Sequence, residues 1–290
     1  ALSAAHVTFQ NTTYGIYATG TNALTVNDCQ FLNNNYGINI SGGTIDLASS
    51  SFTGNASFGY KGDGVAPGVL DANLVFTDNG TGFYISDVPG LNLSTPMNVT
   101  GSTVAGIHLE GCDNPTIDNQ VLTGNNGDYG AFFIEDCGEF TLGAGNTIGG
   151  SGSENSWPVA IGAGSYPSAG GVIPTTGNTN NDIQVGGGTS SRTGTWRKFT
   201  DLDYIVATNT VIDTGGELNL EPGVTVKLDS SRRLHFRGHL NAIGAPGQEI
   251  LFTRNTPSNW SYLYFTNDGS ADLAYCTIEY CSYGFYATST

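Results

Sequence analysis

The 290-residue chain carries 25 acids against nine lysines and arginines, a net charge of −16, with 42 glycines and one methionine. Phosphate binding needs a basic surface, so nucleic acid is excluded as an expected partner. Hydrophobic residues make up 38%, enough for a core, and no apolar run reaches the roughly 18 residues of a membrane span.

The first half is built on a ladder of glycines: Gly15, Gly37, Gly59, Gly82, Gly106 and Gly130, at steps of 22, 22, 23, 24 and 24 residues. A fixed period of that size is the signature of a solenoid. Four residues before each glycine stands Asn11, Asn33, Asn55, Asp78, Ser102 or Asn126, residue types that suit turns and left-handed backbone. After most of the glycines, apolar pairs at a spacing of two mark a strand with one inward face: Ile16/Ala18, Ile38/Ile40, Phe83/Ile85, Ile107/Leu109 and Ala131/Phe133. A second strand per turn is marked by Leu24/Val26, Ile45/Leu47, Leu91/Leu93 and Phe140/Leu142, and a third by Phe9, Phe31, Phe52 and Phe76. Three short strands per turn predict an all-β fold, a right-handed parallel β-helix. The third turn departs from the pattern at Gly59–Gly64, and Pro67-Gly68 predicts an outward loop there.

Residues 1–149 are expected to form the first β-helix segment. Residues 150–182, rich in Gly, Ser, Pro and Thr, read as an irregular joint lying on the solenoid. Residues 183–290 read as the start of a second segment, with strands at Tyr204-Ile205-Val206, Glu217–Leu220, Val224–Leu228, Ile250–Thr253 and Tyr262–Phe265. The run from Gly194-Thr195-Trp196 through Glu221-Pro222-Gly223 and Gly238–Gly244 to Ile250–Thr253 resembles the start of a β-helix domain in secreted bacterial surface proteins. The ladder in 1–149 resembles the repeats of the pectate-lyase-like superfamily. That resemblance implies a parallel β-helix and an extracellular or cell-surface location; enzymes, adhesins and structural proteins share it, so it leaves function open. Residues 276–290, CTIEYCSYGFYATST, also repeat residues 7–21, VTFQNTTYGIYATGT, with seven of fifteen positions identical at an offset of 269.

The charge is unevenly spread. Residues 1–191 hold one base, Lys61, against fifteen acids, and the other eight bases lie between Arg192 and Arg254. No leader segment opens the sequence, so a signal peptide is expected to have been removed or never included. Five cysteines lack any CxxC pair, which excludes a typical zinc site. Cys112 and Cys137 are 25 residues apart, about one turn, and suit either a disulfide or two buried thiols. Seven Asn-x-Ser/Thr sequons, among them Asn55 and Asn79, are a composition effect unless the protein is secreted by a glycosylating host.

Catalytic signals are sparse. Polygalacturonase-type hydrolases of the resembled superfamily carry clustered Asp, a Gly-His-Gly and an Arg-Ile-Lys. This chain has Gly238-His239-Leu240 and no Arg-Ile-Lys, and its first segment has no arginine. Asp201/Asp203 and Glu135/Asp136 are the nearest carboxylate pairs for acid–base hydrolysis. Adjacent strand residues point to opposite faces, which disfavours the second pair. His235, Arg237 and His239 share one face and read as surface residues rather than metal ligands, so no metal or cofactor is expected. Two outward columns are better candidates. One holds Tyr17, Asn39, Lys61, Tyr84, His108, Phe132 and Tyr286; the other holds Tyr14, Tyr36, Phe58, Thr81, Ala105, Tyr129 and Tyr283. Stacked aromatics can simply brace a sheet; alternatively Tyr17, Tyr84, His108, Phe132 and Tyr286 form a contact surface for sugar rings or a neighbouring filament. The expected function is structural and non-catalytic: an extracellular fibre, sheath or adhesive stalk whose copies stack head-to-tail. The alternative is a β-helix protein that binds or degrades polysaccharide.

Overall fold

A computed structural model describes residues 1–288, and its regular elements are all strands. The chain divides into two compact units. The first comprises Ala1–Ile134, Thr141–Val159 and Gly170–Asn181; the second comprises Glu135–Phe140, Ala160–Ala169 and the chain from Asp182 onward.

In the first unit each turn of chain lays one strand on each of three parallel columns. One column runs Leu2–Ala5, Ala23–Asn27, Thr44–Ala48, Val69–Leu70. The next runs from Thr8–Gln10 through Gln30–Leu32, Ser51–Thr53 and Leu74–Thr77 to Met97–Thr100 and Val121–Thr123. The longest strands, Tyr14–Thr19, Tyr36–Ser41, Phe58–Asp63, Thr81–Ser86 and Ala105–Glu110, pair in register with Tyr17, Asn39, Lys61, Tyr84 and His108 side by side. The expected inward residues line the core: Ile38, Ile40, Phe83, Ile85, Ile107 and Leu109 are fully buried. Phe31, Phe52 and Phe76 stack with ring centroids 4.7 and 4.6 Å apart.

That stack explains the glycine ladder. A Cβ at Gly15 would lie 2.7 Å from Phe31 Cδ1 and 2.6 Å from the Gly37 carbonyl oxygen; one at Gly59 would lie 2.8 Å from Phe76 Cδ1. Only a residue without a side chain lets the phenylalanine column close against the neighbouring strand.

The turn before each glycine uses two positions. The first is left-handed, held by Asn11, Asn33, Gly54, Asp78, Gly101 and Gly124. The residue after it builds a buried amide ladder. Asn34 Nδ2 donates to Asn55 Oδ1 (3.1 Å) and Asn55 Nδ2 to Asn79 Oδ1 (2.8 Å). Asn125 Nδ2 donates to Asn155 Oδ1 and Asn155 Nδ2 to Asn178 Oδ1, each at 3.0 Å. Asn55 and Asn79 are therefore fully buried, and their sequons are inaccessible to glycosylation in the folded protein. Asn155 and Asn178 fall in the segment expected to be irregular. That segment also holds two wholly buried strands, Val159–Gly162 and Ser165–Pro167. Its small and polar residues satisfy solenoid positions, which is why composition alone suggested a joint. The loop expected at Pro67-Gly68 stays close to the wall, Gly68 donating its N–H to the Ile45 carbonyl, while Tyr60 and Val65 are buried beside it.

The second unit repeats the three-column plan. Its columns are led by Ile183–Ser190 with Tyr204–Val206, by Thr210–Ile212 with Leu234–Phe236, and by Thr193–Trp196 with Glu217–Leu220. Phe236 and Phe252 fill the interior, with Trp260 buried and donating its indole N–H to the Glu279 carbonyl at 2.8 Å. The sequence repeat at offset 269 is conformational too: His6 and Tyr275 are both left-handed, as are Asn11 and Tyr280.

Candidate functional site

The outward face of the long strands in the first unit carries an unbroken strip of aromatic rings. Tyr14 meets Tyr17 and Tyr36, each at 4.9 Å, and Tyr36 stacks on Phe58 at 5.6 Å. Phe58 meets Tyr84 edge-on at 5.3 Å, and Tyr84 meets His108 edge-on at 4.9 Å. His108 lies 4.5 Å from Phe133, which stacks on Tyr129 at 3.8 Å. The strip arises because the Tyr14–Tyr36–Phe58 and Tyr17–Asn39–Lys61 positions each keep register from turn to turn.

One expected member is misplaced. Phe132 is fully buried in the core, and Phe133 stands beside His108 instead. Gly130 takes a left-handed φ of 70°, and a Cβ on Gly106 would meet the carbonyl of Ala131 rather than that of Gly130. The sixth turn has slipped by one residue, and a one-residue slip exchanges faces. Tyr17 is 62% exposed, whereas Tyr84 is nearly buried by the rings around it. Tyr286, in the second unit, is exposed and pairs in register with Tyr264.

At its middle the strip borders a cleft of about 490 Å³ lined by Ala56, Ser57, Phe58, Lys61, Thr81, Tyr84, Val104, His108 and Glu110. Lys61, the only base of residues 1–191, lies 5.8 Å from the Phe58 ring centroid and 5.4 Å from that of Tyr84, and its Nζ is 3.1 Å from Asp63 Oδ2. Tyr84 donates its hydroxyl to Glu110 Oε2 at 2.7 Å. Burial, then the bond to Glu110, pushes the Tyr84 phenol well above its ordinary range. A phenol held protonated donates hydrogen bonds but does not act as a general base at neutral pH.

The other candidates are occupied locally. Asp203 pairs with Lys227 at 2.6 Å, and Asp136 with Arg192 at 2.8 Å. His235 Nε2 lies 2.6 Å from Thr266 Oγ1, Arg237 lies 3.6 Å from Asp213, and His239 Nδ1 lies 2.9 Å from Ser270 Oγ. The expected shared surface face does not form, because the chain turns between Phe236 and His239: His235 is buried on the strand Leu234–Phe236, His239 lies on His239–Ile243 of another column, and each of the three residues has its own partner. Cys112 and Cys137 are buried thiols in the structure, with sulfurs 3.5 Å from the Glu110 carbonyl and 3.2 Å from the Glu135 carbonyl, respectively. The intact mass of the denatured, unreduced chain tests whether they bond in solution.

The left-handed turn position was visible in the sequence at Asn11, Asn33 and Asp78. The polar ladder one residue further on was not, because Asn and Ser are common throughout. Glu110 was missed because it becomes a site residue only through the Tyr84 hydroxyl one turn earlier.

A family model described as right handed beta helix region matches residues 2–184. No curated protein and no solved structure matches the chain.

Proposed function

The chain belongs to the right-handed β-helix family, and on that scaffold we propose that the first unit binds an extended, neutral polysaccharide along its aromatic strip. The observation that carries this reading is the continuity of the strip. Eight rings follow one another over six turns, each 3.8–5.6 Å from the next. Packing alone accounts for single cross-strand pairs. It does not account for a strip on the outer face that borders a cleft holding Lys61 and Glu110. Sugar rings offer apolar faces to aromatic side chains and hydroxyls to groups such as Asn39, Lys61 and Glu110. Lys61 is balanced by Asp63, so the cleft suits an uncharged chain. The protonated Tyr84 and the paired Lys61 suit holding a glycan rather than cleaving it.

Affinity electrophoresis against neutral β-glucans and xylans tests the proposal. A retarded native protein, with retardation lost in Tyr36→Ala and Phe58→Ala while both variants stay folded at the assay temperature, is the expected result. Equal migration with and without every neutral glycan refutes it. Release of reducing or unsaturated ends would replace binding with catalysis.

A structural role in a fibre or stalk is a second reading. It is favoured by the repeated rung, in which Tyr275 and Tyr280 reproduce the left-handed positions of His6 and Asn11. Tandem copies of one unit are how repeat proteins extend. Electron microscopy of the purified protein tests it: rods of uniform width support the reading, and dispersed monomers at high concentration oppose it.

A further inference from the structure

The second unit carries an aromatic surface of its own. Tyr262, Tyr264, Tyr283 and Tyr286 form a cluster in which Tyr262 lies 5.6, 6.1 and 5.1 Å from Tyr264, Tyr283 and Tyr286, and Tyr264 stacks on Tyr286 at 5.4 Å. Register fixes its direction. His235, Tyr264 and Tyr286 pair side by side, while the flanking Leu234 and Leu263 are buried in the core. The alternation of strand side chains therefore sends the tyrosines outward.

This surface differs from the first strip in its charge. Arg233 lies with its guanidinium carbon 5.3 Å from the Tyr264 ring centroid, and its Nη1 is 3.4 Å from the Tyr262 hydroxyl. Its Nε is buried without an acceptor. Lys61, Arg192, Arg197, Lys227 and Arg237 each have a carboxylate within 4 Å; among the described residues, no carboxylate pairs with Arg233 in this way. A half-buried guanidinium beside Tyr262 and Tyr264 and without a counter-ion is an incomplete electrostatic arrangement, and an anion completes it.

We propose that the Tyr262/Tyr264/Tyr283/Tyr286 surface, with Arg233 at its edge, binds a sulfated polysaccharide. The tyrosine faces take the sugar rings and Arg233 takes the sulfate ester. Sulfate is favoured over a uronate carboxylate on two grounds. Its three terminal oxygens accept from the guanidinium fork and from a phenol such as Tyr262 together. It is also a weakly hydrated anion, as guanidinium is a weakly hydrated cation, so burying the pair among rings costs less desolvation. The net charge of −16 repels any polyanion at long range, so polyanion binding reports a local site rather than a diffuse basic surface. This site is independent of the strip in the first unit.

Three polymers on one backbone test the proposal on the full chain: dextran sulfate, carboxymethyl dextran and unsubstituted dextran, by affinity electrophoresis at about 0.15 M salt, where exposed charges are screened beyond about 8 Å. Dextran sulfate is expected to bind at least about tenfold more tightly than the other two. Arg233→Gln should lose that preference. Tyr286→Ala, an exposed position that leaves the core untouched, should weaken dextran sulfate binding several-fold in a variant that stays folded at the assay temperature. Tyr36→Ala should leave it unaffected, which separates this site from the strip. Equal affinity for dextran sulfate in the native protein and both second-unit variants overturns the proposal, as does a preference for carboxymethyl dextran.

Discussion

Asn79 and Ser102 show what one side chain contributes to this solenoid. Asn34 and Asn55 each donate an amide N–H to the asparagine of the next turn, and Asn55 also donates to the Phe31 carbonyl. Asn79 donates to the Phe52 carbonyl, but the next turn offers Ser102, whose buried hydroxyl has no partner. The main-chain N–H of Ser102 then resumes the ladder on Asn125 Oδ1 at 3.0 Å. Removing the Asn79 amide takes the acceptor from the buried Asn55 main-chain N–H, while Asn55 Nδ2 keeps only the Phe31 carbonyl, and a buried polar group left unpaired costs about 1–3 kcal/mol. Asn79→Ala is therefore expected to lower stability by about that amount in urea titration. Ser102→Asn is expected to raise it by about 1 kcal/mol by closing the gap. A loss of stability in Ser102→Asn would show that the gap is a steric requirement of the turn.

Strands were the most legible level of the fold in the sequence, because glycine spacing and apolar alternation each report a geometric repeat. The inward set Ile38/Ile40, Phe83/Ile85 and Ile107/Leu109 was readable for that reason. Where reading failed, a backbone event moved the register without altering composition. At Gly130 the left-handed turn shifts the strand by one residue, so Phe132 points in and Phe133 joins the outer rings. Two adjacent phenylalanines give no clue to which is which. The candidate site was half legible: its aromatic columns follow the glycines, whereas the Tyr84–Glu110 bond links residues 26 apart through stacking. Substitution separates the two phenylalanines. Phe132→Ala is expected to cost about 3–5 kcal/mol, the usual range for emptying a buried phenylalanine site. Phe133 is buried too, at 5% exposure, packed against Tyr129 and His108, so Phe133→Ala is expected to cost a similar amount and, unlike Phe132→Ala, to weaken glycan binding. Unfolding in denaturant and affinity electrophoresis of both variants measure the contrast; unchanged glycan binding in Phe133→Ala would show that this ring only packs.

Charge acts on the molecule as a whole, and its pH dependence is set by two opposed features. At neutral pH the net charge of −16 keeps copies apart. The sequence pI of about 4.2 means that this repulsion fades as the carboxylates protonate. The second unit responds earlier. Burial, with added repulsion from Arg237 and Arg233, lowers the pKa of His235 below its ordinary value, and Asp213 offsets this only in part. The imidazole is thus neutral in the folded unit, its Nε2 bonded to Thr266, while in the unfolded chain it titrates near its reference value of about 6.5. Below that pH the unfolded state binds a proton that the folded state refuses, so stability falls with pH until the folded pKa is reached. In His235→Gln the side chain keeps a hydrogen-bonding group but no longer titrates. The native protein is therefore expected to lose unfolding temperature between pH 7 and pH 5, by about 2–4 °C for each kcal/mol of stability, and His235→Gln should lose less over the same interval. Near pH 4.2, where repulsion between copies is weakest, the native protein should aggregate on warming before the variant does, because its second unit opens first. Identical pH profiles for the two proteins would show that His235 carries no proton-linked stability and that carboxylate protonation alone governs acid behaviour.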